Sequence, residues 1–206
     1  MIRESTVYGW FRKALEIHQR IFHDNNVIHV SEVTGCLRKS WYARKFPVKT
    51  IDTVNIIMSI GNGVHSLLQE YLASEGWKSE VRVEWNFRKF RLVGHIDLYH
   101  PENNIVIELK TTGKKPKEPY PSHLMQLNAY LRMISADKGY IVYVSRDGHV
   151  KVFQHSFSKQ LWSQTIKRAF RLWHALKENN PPDPEPSPLC NYCSFKWRCI
   201  FQKYGR

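Results

Sequence analysis

No run of about 18 apolar residues occurs in these 206 residues, so the sequence offers no membrane-spanning helix. The first twenty residues, MIRESTVYGWFRKALEIHQR, lack the apolar core of a secretory signal. The expectation is therefore an intracellular, cytoplasmic protein. Internal repeats are missing too. Cysteine is scarce, at four, and disulfides are not expected in a cytoplasmic chain. Acidic groups are in short supply: 18 Asp and Glu against 31 Lys and Arg leave a net charge of +13. A surplus of that size concentrates polyanions and drives salt-sensitive binding to phosphates. A basic amphipathic helix with a clear apolar face would argue for a lipid surface, and none is found, so nucleic acid is the expected partner. What the chain does have is core: 42% hydrophobic residues at this length suit one compact domain.

Within it, RLVGHIDLYH-PENN-IVIELKTT (91–112) reads as two apolar strands around a polar loop, a hairpin signal. If the loop is Pro101–Asn104, His100 faces Ile105, Asp97 faces Glu108 and His95 faces Lys110. Alternation then puts His95, Asp97, Glu108 and Lys110 on one face, with Ile105, Ile107 and Leu109 on the other. Opposed residues have Cβ atoms roughly 4.5–5.5 Å apart. At about 5 Å and an effective dielectric near 20, two carboxylates repel by on the order of 3 kcal/mol. A fold gains nothing from that unless a cation sits between them. Hard divalent ions are held by one or two carboxylates, with other positions left to water and substrate phosphates. Lys110, on the same face, could orient or activate a metal-bound water. The pattern is that of a metal-dependent phosphodiester-cleaving site.

Cys36 stands alone, whereas Cys190, Cys193 and Cys199 form C-x2-C-x5-C near the C-terminus. Grouped cysteines in such a chain point to metal. Four thiolates suit structural zinc or an iron–sulfur cluster. Zinc ribbons supply two close C-x-x-C pairs, but here three ligands lie within ten residues and the fourth about 150 residues upstream. That spacing would clip the two ends of the domain together. On spacing alone cluster, zinc and no metal stay open.

Helical periodicity covers Thr6–His23, through Val7, Trp10, Phe11, Leu15, Ile17 and Phe22, and again 54–74, where Gly61, Gly63 and His65 interrupt an apolar face. Two glycines so close in a helix suggest near backbone contact. In LRKSWYARKF, Arg38, Lys39, Arg44 and Lys45 interleave with Trp41, Tyr42 and Phe46. This is either a nucleic-acid grip by charge and stacking or a helix with one buried aromatic side. A strand, VRVEWNF (Val81–Phe87), turns Val81, Val83, Trp85 and Phe87 inward and precedes the hairpin. A basic, Pro-rich loop (112–122) follows it, then a helix (123–135) that places Gln126 and Tyr130 on one face. Strands at 139–145 and 151–157 and a long helix at 158–179 lead into the extended spacer PPDPEPSP. The single domain thus divides into a helical N-terminal part (1–75), a strand-rich core (76–180) and a cysteine tail (181–206).

G-x-x-x-H at Gly61–His65, G-x-x-D at Gly94–Asp97, E-L-K-T at Glu108–Thr111 and Q-x-x-x-Y at Gln126–Tyr130 occur in that order, bracketed by one upstream and three downstream cysteines. The combination resembles the RecB-like nucleases of the PD-(D/E)xK superfamily, more narrowly the CRISPR-associated Cas-four exonucleases. The resemblance implies an α/β fold, a restriction-endonuclease-like core with a central mixed β-sheet flanked by helices, and a C-terminal cysteine-cluster appendage. It implies that His65, Asp97 and Glu108 ligate Mg²⁺ or Mn²⁺ with help from a carbonyl after the Glu, and that Lys110 assists the attacking water. Gln126 and Tyr130 would support the site and the DNA strand. Cys36, Cys190, Cys193 and Cys199 would hold a 4Fe-4S cluster. His95, in GHID, would touch substrate or lower the Lys110 pKa. The implied activity is exonucleolytic hydrolysis of single-stranded DNA ends, in spacer processing with CRISPR adaptation proteins. Its rivals are a repair or viral recombination nuclease of the same chemistry, and a non-catalytic iron–sulfur DNA-binding module.

Overall fold

The computed structural model describes residues 3–14, 24–46 and 52–201. Its first helix, α1 (Glu4–Ala14), covers the first part of the expected 6–23 helix; residues 15–23 lie outside the described ones. A short strand, β1 (Val27–His29), comes next, in a region read from sequence as helical. Three residues are too few for periodicity to register. Helices α2 (Val30–Thr34), α3 (Leu37–Lys45) and α4 (Asp52–Ala73) complete the N-terminal part.

Three strands follow: β2 (Lys78–Asn86), β3 (Arg91–His100) and β4 (Ile105–Thr112). Helix α5 (Pro121–Met133), strands β5 (Lys138–Ser145) and β6 (Val150–Ser156), and helix α6 (Lys159–Lys177) come next. The tail is a 3-10 turn, Pro188–Tyr192, and a last helix, α7 (Lys196–Phe201). The six strands form one mixed sheet, β1-β3-β4-β5-β6 with β2 also on β3. Pairings β1–β3 and β4–β5 are parallel, the others antiparallel. Among the described residues no helix is long and apolar enough to cross a membrane.

The sheet holds a notch. β2 lies along one edge of β3, from Arg91 to Tyr99. The other edge is shared: β1 pairs Arg91–Val93 and β4 pairs Leu98–His100. Residues 94–97 face the gap between them. The hairpin register is as the loop dictates, with His100 opposite Ile105. The ladder stops at Leu98–Ile107, however, so the expected pairs Asp97–Glu108 and His95–Lys110 do not form as ladder pairs. β4 instead runs on against β5, setting Glu108 beside Ile141 and Lys110 beside Tyr143.

The main core lies between the sheet and α2, α3, α5 and α6, around Ile28, Leu37, Leu92, Ile96, Leu127, Ile141 and Leu172. Val83 is buried, and Val81, Trp85 and Phe87 pack against that core as the alternation requires. Asn128, on α5, bonds both the N–H and the C=O of Ser158, the N-cap of α6, at 2.6 and 3.0 Å. The aromatics of α3 belong to the interior: Trp41 is buried with Nε1 donating to the Ala175 carbonyl (3.0 Å), and Tyr42 stacks on Phe195. Arg44 pairs with Glu32 at 2.6 Å. This corrects the stacking-grip reading of Trp41 and Tyr42; the helix has one buried aromatic side.

Candidate functional site

Four elements meet at the notch. From β3, Asp97 turns its carboxylate across the gap, and Oδ2 accepts the Leu109 N–H of β4 at 2.7 Å, standing in for the backbone partner that the parted ladder withdraws. From β4 come Glu108 and Lys110, with Nζ 2.6 Å from Glu108 Oε1. From α4, His65 Nδ1 stands 3.9 Å from Asp97 Oδ1. α4 reaches this close because of Gly61, where a Cβ would sit 2.8 Å from Thr111 Oγ1; Gly63 has no such neighbour. From α5, Gln126 Nε2 donates to the Tyr130 hydroxyl (3.1 Å), which also meets the His95 backbone in the notch. Tyr130 fits there only because position 94 is glycine: a Cβ would lie 2.4 Å from Tyr130 Cε1.

Glu108 is fully buried, and neither of its oxygens accepts a well-directed hydrogen bond; Oε1 has only the close Lys110 ammonium. Burial pushes its pKa up to about 8, with Lys110 opposing and Asp97 adding to the rise. Asp97 is raised too, by burial, against the pull of Lys110, His65 and the Leu109 amide. Burial draws Lys110 down, but the Glu108 and Asp97 carboxylates outweigh it and hold the ammonium above its ordinary value. Tyr130 is held well above its ordinary value by burial first and the Glu108 charge second, so it keeps its proton.

A fully buried carboxylate with one oxygen left unpartnered, beside a second carboxylate, is what a hard cation needs and what a fold otherwise avoids. The donors fit a divalent ion. Glu108 and Asp97 offer oxygens, and His65 lies on the open side of Asp97.

Other neighbours escaped the sequence reading. Glu80 stands at the position skipped in the β2–β3 ladder opposite Asp97, with φ +50°, and Gln69 Nε2 bridges its Oε1 (3.3 Å) to the Asp97 carbonyl (3.2 Å). Nothing local in the sequence marks it. His123 Nδ1 lies 2.9 Å from the hydroxyl of Tyr143, the ladder partner of Lys110. Burial, helped by the Lys110 charge, lowers its pKa to about 4, so it is neutral. His123 precedes Gln126 by three and Tyr130 by seven residues, a helical phase that could have found it.

The four cysteines are free thiols that line one cavity of about 370 Å³, with Arg38, Lys39 and Lys196 among its other walls. Burial raises Cys199, opposed by Arg38 and reinforced by Cys36, Cys190 and Cys193. The structure thus brings Cys36 to the tail. Four sulfur donors with cationic neighbours fit a thiolate-bound metal group. Among the described residues no three Asp, Glu, His or Cys side chains converge closely enough to form a finished metal centre, so at both places the donors would have to draw in around an ion.

Comparison with known proteins shows the family and the fold. The family profile described as the PD-(D/E)XK nuclease superfamily matches residues 64–200. The CRISPR-associated exonuclease Cas4 of Saccharolobus solfataricus (strain P2) is 26% identical over 197 residues, covering 91% of this chain and 94% of that one. The crystal structure of SSO0001 superposes with a TM-score of 0.74 at 24% identity, over 94% of this chain and 96% of that one. An alkaline exonuclease, LHK-Exo from Laribacter hongkongensis, shares the fold at a TM-score of 0.54 and 11% identity, over 75% of this chain and 89% of that one. The matched span holds His65, Asp97, Glu108, Lys110, Gln126, Tyr130 and three of the cysteines, and the chain belongs to the PD-(D/E)XK nuclease superfamily as a nuclease similar to Cas4.

Proposed function

We propose that the chain is a DNA exonuclease dependent on Mg²⁺ or Mn²⁺, acting on single-stranded ends, with His65, Asp97 and Glu108 as the metal ligands. The observation that carries the reading is the fully buried Glu108 carboxylate, close to the Lys110 ammonium on Oε1 alone and beside the Asp97 carboxylate. A bound divalent ion would polarise a phosphoryl oxygen and lower the pKa of its water. Lys110 keeps its proton, so it serves as a cationic donor toward the phosphate or the attacking water, stabilising charge that develops there, and not as a base. Gln126 and Tyr130 fix the notch from α5, Tyr130 by bonding the exposed strand edge at His95. The net charge of +13, with Lys114, Lys115 and Lys117 in the loop after β4, supports binding of a polyanionic strand.

The tail cysteines and Cys36 hold a 4Fe-4S cluster in this reading. A cavity of about 370 Å³ suits a group of several atoms, since one water takes up only about 30 Å³. The similarity to a CRISPR-associated exonuclease supports a place in CRISPR adaptation, trimming spacer precursors beside the adaptation proteins.

The test is end-labelled single- and double-stranded DNA, with and without Mn²⁺. The wild type shortens single-stranded ends only with the ion, and Asp97→Ala and Lys110→Ala each lose at least about 100-fold in rate while still binding DNA. Equal activity in Asp97→Ala would reject the enzyme reading in favour of a DNA-binding module. Protein purified without air is brown and absorbs near 400 nm; a colourless zinc protein would reject the cluster.

A further inference from the structure

Cys36 and Cys190 lie about 150 residues apart, and residues 180–187, which deliver the tail, have no regular secondary structure. Among the described residues no sheet ladder joins the two segments. An arginine ties them. Arg168, on α6, donates from Nε to the Val33 carbonyl (2.5 Å) and from Nη2 to the Gly35 carbonyl (2.5 Å), the two carbonyls that end α2 just before Cys36. The same guanidinium holds Glu185 of the arm by both oxygens, at 2.7 and 2.9 Å. Glu185 Oε2 in turn accepts the Leu37 N–H at 3.0 Å, the residue just after Cys36.

Cys36 occupies the N-cap of α3, and its side chain makes no capping bond. A Ser or Asp there would cap the helix with its own oxygen. Here the carboxylate of Glu185, far along the chain, caps from outside, where the helix N-terminus favours negative charge. The backbone is pinned on both sides of Cys36 and its thiol is left unspent. Two further contacts seat the arm: Arg171 pairs with Asp183 at 2.8 Å, and Phe195, between Cys193 and Cys199, stacks on Tyr42 of α3 with centroids 5.6 Å apart. Glu185, Tyr42 and Phe195 line the same cavity as the four cysteines.

We infer that Arg168 and Glu185 are the positioning residues of the cysteine cage. The inference rests on the reading that these cysteines hold an iron–sulfur cluster. The contacts that pin both sides of Cys36 come from one planar Arg fork matched to two carbonyls and a carboxylate. The fork thus keeps Cys36 beside the tail cysteines, and the four thiols draw in around the cluster as iron and sulfide enter. Loss of the fork frees the arm and lets Cys36 drift from the other three donors.

The test uses full-length protein stripped of iron by a chelator without air, then refilled with Fe²⁺ and sulfide. Stripped wild type refills, read as absorbance near 400 nm and iron per chain. Arg168→Met and Glu185→Ala keep the fold, but when refilled they lose the cluster to chelator about 10- to 100-fold faster, the range typical of residues that support metal ligands. Arg168→Lys, which keeps charge without the fork, falls between. Glu185→Ala removes only the arm's half of the knot and stands as the test if Arg168→Met does not fold. Wild-type retention in Glu185→Ala would overturn the inference. Wild type that never binds iron would instead sink the cluster reading beneath it.

Discussion

Residue by residue, the site is a balance of charges that the fold leaves unfinished. Glu108 holds its proton up to about pH 8 in the folded chain, against 4.5 ordinarily. Ionising it is therefore a cost to the metal-free fold, absent below pH about 4.5 and fully present above about 8. An ion that binds the carboxylate offsets that cost and displaces the proton. Mn²⁺ affinity should thus rise with pH by up to about tenfold per unit, level off above about 8, and lose this dependence in Glu108→Gln. Calorimetric titration across pH 6 to 9 checks it; a flat profile in the wild type would contradict it. Asp97, Glu108 and Lys110 were legible because a four-residue loop sets hairpin register, so chemistry eleven residues apart could be placed by counting. Glu80 and His123 were not, because each reaches the site through a tertiary neighbour, Gln69 in one case and Tyr143 in the other.

At the scale of elements, the notch arises where β3 passes from β1 to β4, and α5 closes it with Tyr130 seated on Gly94. Gly94→Ala drives a methyl into that ring, and overpacking of this kind costs roughly 1–3 kcal/mol. The variant should lose stability by that amount and activity with it, and adding Tyr130→Ala should restore stability beyond the sum of the single changes. Urea unfolding of the four proteins measures this; strict additivity would show that the two do not touch. Long helices and alternating strands were legible from their periods. The end of the β3–β4 ladder was not, since a strand's sequence does not say which neighbour its other edge will find. The basic–aromatic run of α3 turned inward for a similar reason: burial of Trp41 under α6 and of Tyr42 against Phe195 is decided by packing that local composition does not encode.

Over the whole molecule, charge and topology act together: the basic loop follows directly from β4, so the strand that carries Glu108 and Lys110 also leads into Lys114, Lys115 and Lys117. Each phosphate neutralised on a single strand contributes about 0.7 to the salt slope of binding. Replacing those three lysines with alanine should lower the slope for single-stranded DNA by about two, read from fluorescence anisotropy at several salt concentrations. An unchanged slope would place the strand elsewhere. The joining of Cys36 to the tail could be guessed from cysteine spacing, but the Arg168–Glu185 knot that achieves it has no signature in either segment alone.

Catalysis in this chain depends on one cation seated between strands that part. Anomalous diffraction at the manganese edge, from crystals soaked in Mn²⁺, should show a peak roughly 2.0–2.3 Å from carboxylate oxygens of both Asp97 and Glu108, with Lys110 displaced from Oε1. Crystals with manganese bound elsewhere, or with Glu108 still against Lys110 and no peak beside it, would contradict it.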